Sequence, residues 1–498
     1  MKEYDLVVVG SGVGLTVLSS GLQRGLSCAL IEDAKMGGTC LTRGCIPSKV
    51  LVYPADVIRE AGHAKKIGLS INFKNFDWQL ISKRMWSQID ESEGIEQSLS
   101  QAPNLKIFRG VGEFTGKYSL KVKLNETGEY SEEFKGKQII LASGGRSFIP
   151  PIEGLKQVDF ITSESFFGDK FPEQPWKSLT IIGGGVIAAE FAHIFSAFGT
   201  NVTIVEMLPR LVPTEEPEVS KILEQSFSKH LSVFTNHKAI RVKQNGNLKE
   251  LFIQNLETNE IKTIQSEALL IATGRRSNAD ILRVKNAKIE TTKTNWIKTD
   301  KYLQTNVRNI WAIGDATGKY QFRHKANYDA EIVVRNIFGK KEKTMVDYSA
   351  VPWAIFTYPQ IAHVGLTEKE AIDQGNQIYT AVKTYSSVAK GFAMGLQDTD
   401  GLFKLIVDSD YHILGAHAIG PHAATLIQPL VYLMNAGFSC GNQEFKIANN
   451  LRKFTNACPE AGSFIPIYKS MVIHPSLNEV VGWALGNLQP VNIEHSHH

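Results

Sequence analysis

Two thiols stand close together in the segment GGTCLTRGCIPSK, residues 37–49, as Cys40 and Cys45. Four residues separate them, about one helical turn, so the spacing predicts both sulfurs on one face of a helix. Gly37 and Gly38 permit a tight approach, and a helix N-terminus there depresses a thiol pKa. Such a pair can cycle between dithiol and disulfide. Zinc binding and inert burial are the other uses of close cysteines. Zinc needs two more ligands, and no second Cys pair or paired His has suitable spacing.

A second kind of chemistry is written in glycines. The apolar run Leu6 to Val9 meets Gly10, Gly12 and Gly14, then a helix-like stretch and CALIE ending in Glu32. This reads strand, turn, helix, strand. Small residues let a pyrophosphate approach the backbone, and the helix N-terminus offers it free N–H groups. Glu32, about 20 residues on, is placed to accept bonds from ribose hydroxyls. The third glycine of G-x-G-x-x-G is replaced by Leu15. Either helix and strand pack more loosely there, or Gly14 takes over that role. The plain alternative is a glycine-rich turn inside an ordinary α/β core.

The pattern recurs in LTIIGGGVIAAE, residues 179–190, and NVTIVE, ending at Glu206. Gly183, Gly185 and Ala188 fit the same spacing. Two units point to two dinucleotides, the logic of a flavoenzyme exchanging hydride with a nicotinamide. Glu206 favours a free 2′-hydroxyl, hence NAD over NADP, although Arg210 is close in sequence and Ala188 fits either.

The elements that carry these residues fit a chain of 498 residues, with 43% hydrophobic and 21% charged residues. That is globular composition for roughly three domains. A net charge of +4 is too mild to imply nucleic acid or an anionic membrane. No apolar run has the length of a membrane span; Leu426 to Phe438 is broken by Gln428, Pro429 and Asn435. Five cysteines do not make a disulfide-stapled scaffold, and MKEYDLVVVG lacks the features of a signal peptide. A cytoplasmic protein is expected. The terminal EHSHH is read as a solvated tail.

The segment 37–49 resembles, over its full length, the redox-disulfide motif of the FAD-dependent pyridine nucleotide–disulfide oxidoreductases. It departs at Thr42, where Asn is usual, and at Arg43, usually small or apolar. Three more segments carry the resemblance. WAIGDAT, residues 311–317, is similar to the second FAD motif, whose aspartate holds the flavin ribityl chain; here that is Asp315. ATGRRSN, residues 272–278, is similar to the strand and turn returning from the NAD domain and contains Gly274. IHPSLNE, residues 473–479, resembles the C-terminal catalytic motif, with His474 as acid/base and Glu479 as its orienting partner. The family's usual His two residues earlier is absent; Val472 stands there.

The resemblance implies an α/β fold: two Rossmann-like domains, for FAD and NAD, plus a C-terminal α+β dimerisation domain. Its order is an FAD-binding domain at 1–155, an NAD(P)-binding domain at 156–274, the rest of the FAD domain at 275–346, and an interface domain at 347–498 with an insertion near 440–468. It implies a homodimer in which His474 serves the disulfide of the opposite subunit. Cys45 faces the flavin as a thiolate and Cys40 exchanges with substrate. Lys49 and Glu190 match positions that pair near the reactive edge of the flavin. No metal is expected.

Among substrates the resemblance favours a dihydrolipoyl dehydrogenase acting on a small-molecule or lipoyl-domain dithiol, with a 2-oxoacid dehydrogenase complex as partner. A reductase of a low-molecular-weight disulfide, of the mycothione reductase type, is the second reading. AAEFAHIFSAFG and HPSLNEVVGWALG favour it. A flavin-binding redox sensor is the non-enzymatic reading; it predicts a broken Cys or His position, and all three are intact. The insertion, with Cys440 and Cys458, is read as a lid over the substrate entrance or as a tolerated surface loop.

Overall fold

The computed structural model describes residues 1–340, 342–410, 412–436, 441–447, 450–457, 465–476, 478–479 and 481. Three sheets organise it. In the first, strand Lys2–Val9 lies between Cys28–Glu32 and Phe134–Leu141, all parallel. Leu105–Phe114 extends one side and Ile310–Ala312 the other. Leu6, Val7 and Val8 are fully buried, as a parallel strand covered on both faces requires.

Between Phe134–Leu141 and Ile310–Ala312 the chain builds a second unit. It leaves through Gly145–Ser147 and returns through Arg275–Ser277, which pair antiparallel with each other. The inserted parallel sheet has the order Ser232–Phe234, Asn201–Val205, Ser178–Ile182, Ala268–Ile271, Ile161–Thr162. A three-stranded antiparallel sheet of His237–Asn245, Leu248–Asn255 and Ile261–Ser266 flanks it.

The third unit is an antiparallel sheet ordered Pro352–Ile355, Ile361–Gly365, Ile413–Ile419, Leu402–Asp408, Ile378–Thr384. Helix Ala423–Met434 packs on it through Ala423, Ala424, Ile427 and Val431. The fold is thus α/β, with two parallel sheets of dinucleotide-binding type and a C-terminal α+β unit.

Part of the expected insertion is a backbone hairpin, Gly441–Ile447 paired antiparallel with Asn450–Ala457. Cys440 and Cys458 lie outside the described residues. Among the described residues no helix is long and apolar enough to cross a membrane.

One helix pair couples the units. Helix Cys45–His63 lies against helix Val186–Ala197 of the second unit. Residues one or two turns apart on one helix meet partners about a turn apart on the other. Lys49 Nζ is 2.8 Å from Glu190 Oε2, Asp56 Oδ1 is 2.7 Å from His193 Nε2, and Arg59 donates to Ser196 Oγ at 2.6 Å. Glu190 Oε1 also accepts the Phe356 N–H of the third unit at 3.0 Å.

Candidate active site

Gly10 leaves its strand at φ +99°, and a Cβ there would sit 2.3 Å from the Ala142 carbonyl oxygen. Only glycine fits. Gly14 opens the helix Gly14–Leu22, where a Cβ would meet Val8 Cγ1 at 2.7 Å. The close helix–strand packing expected of a third glycine therefore falls to Gly14. Leu15 is partly buried against the neighbouring core and takes no part in it.

Glu32 accepts from the backbone N–H groups of Ser11 at 2.7 Å and Ala34 at 2.9 Å. Its carboxylate braces the glycine turn. A carboxylate has about four lone-pair sites, so capacity remains for a ribose hydroxyl. Glu206 repeats the device in the second unit, accepting from Gly184 and, at 2.7 Å, from Leu208. Gly183 and Gly185 form the turn before helix Val186–Ala197, and a Cβ on Gly185 would meet open space. Arg210 is committed elsewhere: it donates to the Pro213 carbonyl at 2.9 Å. Gly274 accepts the Phe148 N–H at 2.9 Å, at the crossing between the two units.

A cavity of about 500 Å³ runs from the first glycine turn to the cysteines. Gly10, Gly12, Glu32, Cys40, Cys45, Lys49, Glu190, Asp315 and His474 all line it. The turn carrying Asp315 is held by a buried pair, Lys325 Nζ to Asp329 Oδ2 at 2.7 Å, and Asp329 accepts the Gly314 N–H at 2.9 Å. Burial raises the Asp315 carboxyl, with Arg275 and Lys325 opposing. A carboxylate in such a cavity calls for a hydroxyl or N–H donor from a ligand. Ser143 Oγ is also buried without a partner. The glycine cradle, the two acidic groups and this orphan hydroxyl fit a dinucleotide with sugar and polyol hydroxyls.

The cysteines do not share one helix. Cys40 lies in the short helix Gly38–Thr42 and Cys45 opens the next, Cys45–His63. Arg43 (φ −158°, ψ 29°) and Gly44 (φ −151°, ψ −118°) leave helical geometry and break the chain between them. The sulfurs meet across this break. The break puts Cys45 at a helix N-terminus, where N–H groups favour a thiolate. A Cβ on Gly38 would stand 2.5 Å from Gly12 Cα, so the cysteine segment is seated directly on the first glycine turn.

Electrostatics divides the pair. A hydrogen bond from Cys40 brings the Cys45 thiol down to about 6, helped by Lys49 and His474 and opposed by burial. The same hydrogen bond, with burial, raises Cys40 well above an ordinary thiol. In the reduced protein Cys45 is therefore the thiolate at neutral pH and Cys40 the thiol. Alkylation at Cys45 is expected to slow as pH falls through about 6. Mass-spectrometric labelling of the reduced chain from pH 4 to 8 checks this.

His474 Nε2 lies 3.2 Å from Cys40 Sγ, and His474 Nδ1 lies 2.8 Å from Glu479 Oε1. Nδ1–H donates to the carboxylate, so in the neutral ring Nε2 faces the thiol as an acceptor. Glu479 Oε2 accepts the Ser476 N–H at 3.2 Å, which fixes the carboxylate itself. This meeting occurs within one chain. The resemblance implies the opposite subunit's histidine instead.

Two residues that support His474 were not singled out from sequence. Gln428, 1% exposed, accepts the Ile473 N–H at 3.1 Å and donates to the Met471 carbonyl at 3.1 Å. In the sequence it reads only as a polar break in an apolar stretch, which is its one signal. His324 Nδ1 is 3.4 Å from the His474 backbone N, and its Nε2 is 2.6 Å from the Pro352 carbonyl. Burial pushes His324 down to about 4, so it is a neutral ring that donates to Pro352 and accepts from His474.

Residues 4–330 match the pyridine nucleotide-disulphide oxidoreductase family, and residues 351–450 match the dimerisation domain of that family. Mycothione reductase of Mycobacterium tuberculosis is 34% identical over 450 residues, covering 88% of this chain and 94% of that protein. Dihydrolipoyl dehydrogenase of Synechocystis is 35% identical over 444 residues, covering 86% of this chain and 91% of that protein. Among solved structures, the HOCl-induced flavoprotein disulfide reductase RclA from Escherichia coli superposes with a TM-score of 0.74 at 26% identity, over 96% of this chain and 98% of that one.

Proposed function

The chain belongs to the pyridine nucleotide-disulphide oxidoreductase family, and from that premise we propose that it is a dihydrolipoyl dehydrogenase using FAD and NAD. The coarser statement, an oxidoreductase acting on sulfur groups, follows from the family. One observation carries the thiol–disulfide chemistry: the relay Cys40–His474–Glu479, at 3.2 and 2.8 Å, in a cavity continuous with the glycine turn; the dihydrolipoyl substrate is supported by the 35% identity to dihydrolipoyl dehydrogenase.

Gly10 and Gly12 would lie against the FAD pyrophosphate, with Gly14 seating the helix that faces it on its strand; Glu32 would hold a ribose and Asp315 the ribityl chain. Gly183, Gly185, Glu206 and Gly274 serve the nicotinamide dinucleotide. FAD, when bound, passes two electrons between the nicotinamide and the Cys40–Cys45 pair. The remaining steps belong to the chain. A substrate thiolate attacks Cys40 of the disulfide, and Cys45 leaves as a thiolate stabilised by its helix N-terminus and Lys49. His474 takes the proton of the second substrate thiol, which attacks the mixed disulfide and releases a cyclic disulfide. Cys40 takes up that proton. The chain is left with a thiol at Cys40 and a thiolate at Cys45, and the substrate is oxidised by two electrons. Glu190 fixes Lys49, and Glu479 fixes the tautomer of His474.

The working form is a homodimer built through the matched dimerisation domain. In that dimer the family resemblance has each His474 serve its partner's Cys40, in place of the own-chain contact of the single chain, and mixed dimers distinguish the two. A 2-oxoacid dehydrogenase complex supplies the dihydrolipoyl group. NAD is preferred because Glu206 repels a 2′-phosphate and Arg210 is turned to Pro213. NADH is expected to exceed NADPH by about 100-fold in kcat/KM, the scale of a like-charge clash. Equal rates with both would refute the preference.

The test is NAD reduction by dihydrolipoamide with FAD-saturated protein. An efficiency above roughly 10⁴ M⁻¹s⁻¹ is expected. No turnover, with NADH still reducing the protein, would reject the substrate and keep the family chemistry. One feature favours the second reading. Arg43 and Arg323 line the cavity, and neither forms an ion pair among the described residues. Buried Arg43 Nε has no partner. Two unpaired guanidiniums suit an anionic small disulfide. On that reading dihydrolipoate outperforms dihydrolipoamide by about tenfold or more, the value of a charge-assisted hydrogen bond.

A further inference from the structure

A second set of reactive groups lies away from the cavity, between the second unit and the antiparallel sheet. A ring nitrogen of His363, a ring nitrogen of His417 and a carboxylate oxygen of Glu215 all lie within 4.8 Å of one another. The three residues are buried, each at most 1% exposed. His363 and His417 are direct partners on neighbouring antiparallel strands, with ring centroids 3.9 Å apart. Cross-strand partners share a face of the sheet. Glu215 reaches them from the turn before helix Pro217–Phe227.

The hydrogen bonds fix both tautomers. His363 Nε2 is 2.9 Å from the Gly365 carbonyl, and His417 Nε2 is 3.0 Å from the Leu366 carbonyl. A carbonyl only accepts, so each Nε2 carries a proton and each neutral ring keeps a lone pair on Nδ1. Tying one ring N–H to a backbone carbonyl is also how proteins orient metal-binding histidines. His363 Nδ1 faces Glu215 Oε2 at 3.2 Å, and with the ring neutral both atoms are acceptors. His417 Nδ1 is buried with no hydrogen-bond partner. A proton on His363 would answer Glu215 alone.

Charge leans the same way. Lys404 Nζ is shared by Glu216 at 2.8 Å, Glu218 at 3.2 Å and Glu368 at 2.6 Å. Glu215 adds a further carboxylate beside that group, its other oxygen accepting from Trp353 Nε1 at 2.8 Å. One ammonium faces more carboxylates than it neutralises, and two of them, Glu215 and Glu216, are buried with it.

We propose that Glu215, His363 and His417 bind a divalent transition-metal ion of the zinc class, clamping the second unit to the antiparallel sheet. Two imidazoles and a carboxylate suit such an ion, with water as a further ligand. Ligands about 2.0–2.2 Å from zinc stand roughly 3.3 Å apart in a tetrahedron, so the trio has to draw in by no more than about 1.5 Å.

The test titrates chelator-stripped, full-length protein with Co²⁺ and displaces it with Zn²⁺. His363→Gln and Glu215→Gln chains are measured beside it. All three keep Cys40, Cys45 and the terminal histidines, so their differences report this cluster. The wild-type chain is expected to bind one more Co²⁺ than either variant, with the visible bands of a tetrahedral site and slow loss to free chelator. Zn²⁺ is expected to raise its Tm and leave the variants unmoved. Equal stoichiometry in all three chains would overturn the proposal. Should both variants fail to fold, the Cys40→Ser/Cys45→Ser chain decides: a slowly exchanging tetrahedral Co²⁺ supports the site, and only fast-exchanging Co²⁺ refutes it.

Discussion

A Cys45→Ser chain is expected to lose thiol–disulfide turnover by about 10⁴-fold or more, and Cys40→Ser and the double variant by the same amount. The three values should agree because the sulfurs act as a unit: without either one there is no disulfide to attack. The route from nicotinamide to flavin does not pass through them. NADH should therefore still bleach the flavin in all three chains, and weak oxidase activity toward oxygen should survive. Stopped-flow reduction beside steady-state turnover separates the two halves. Loss of flavin reduction in Cys45→Ser would mean that the cysteine shapes the cofactor site, which the close seating of Gly38 on Gly12 makes a real alternative. A normal flavin spectrum before mixing excludes a collapsed site.

Replacing His474 has the second largest expected effect. Its Nε2 is the imidazole nitrogen that faces Cys40 Sγ, 3.2 Å away. Loss of a positioned base costs about 10²- to 10⁴-fold. The loss in His474→Ala should shrink as pH rises, because a thiolate formed by solvent base no longer needs the imidazole. Dimerisation adds a sharper test. Mixed by refolding, Cys45→Ser and His474→Ala chains form mixed dimers. If each His474 serves its partner, one site of every mixed dimer is intact, and about a quarter of wild-type activity returns on statistical exchange. If each His474 serves its own chain, every site carries a defect and no activity returns.

Much of this site is readable from sequence because its parts are local. A glycine turn needs only its own strand and helix, and both acidic strand ends follow at a fixed distance. Lys49 and Glu190 are readable only through resemblance, since the spacing of either says nothing about the other; the pairing of helices Cys45–His63 and Val186–Ala197 joins them. The break at Arg43 and Gly44 escapes a spacing argument, because four intervening residues equal one turn only when the helix is continuous. Gln428 and His324 escape for a different reason. Each acts on the backbone of a segment far away in sequence, and a polar residue in an apolar stretch does not say which backbone it serves. The cluster of Glu215, His363 and His417 comes from three separated elements and shows no ligand spacing at all.

The central claim is that the protein stores two pairs of electrons, one on the flavin and one on the Cys40–Cys45 disulfide. Anaerobic titration of the oxidised, FAD-loaded chain with NADH and an NAD⁺-removing system counts them, with free thiols measured at the end. The expected result is about two equivalents of NADH per flavin and two new thiols per chain, against one equivalent and no new thiols in Cys45→Ser. One equivalent in the wild-type chain, with the cysteines still oxidised, would contradict the account.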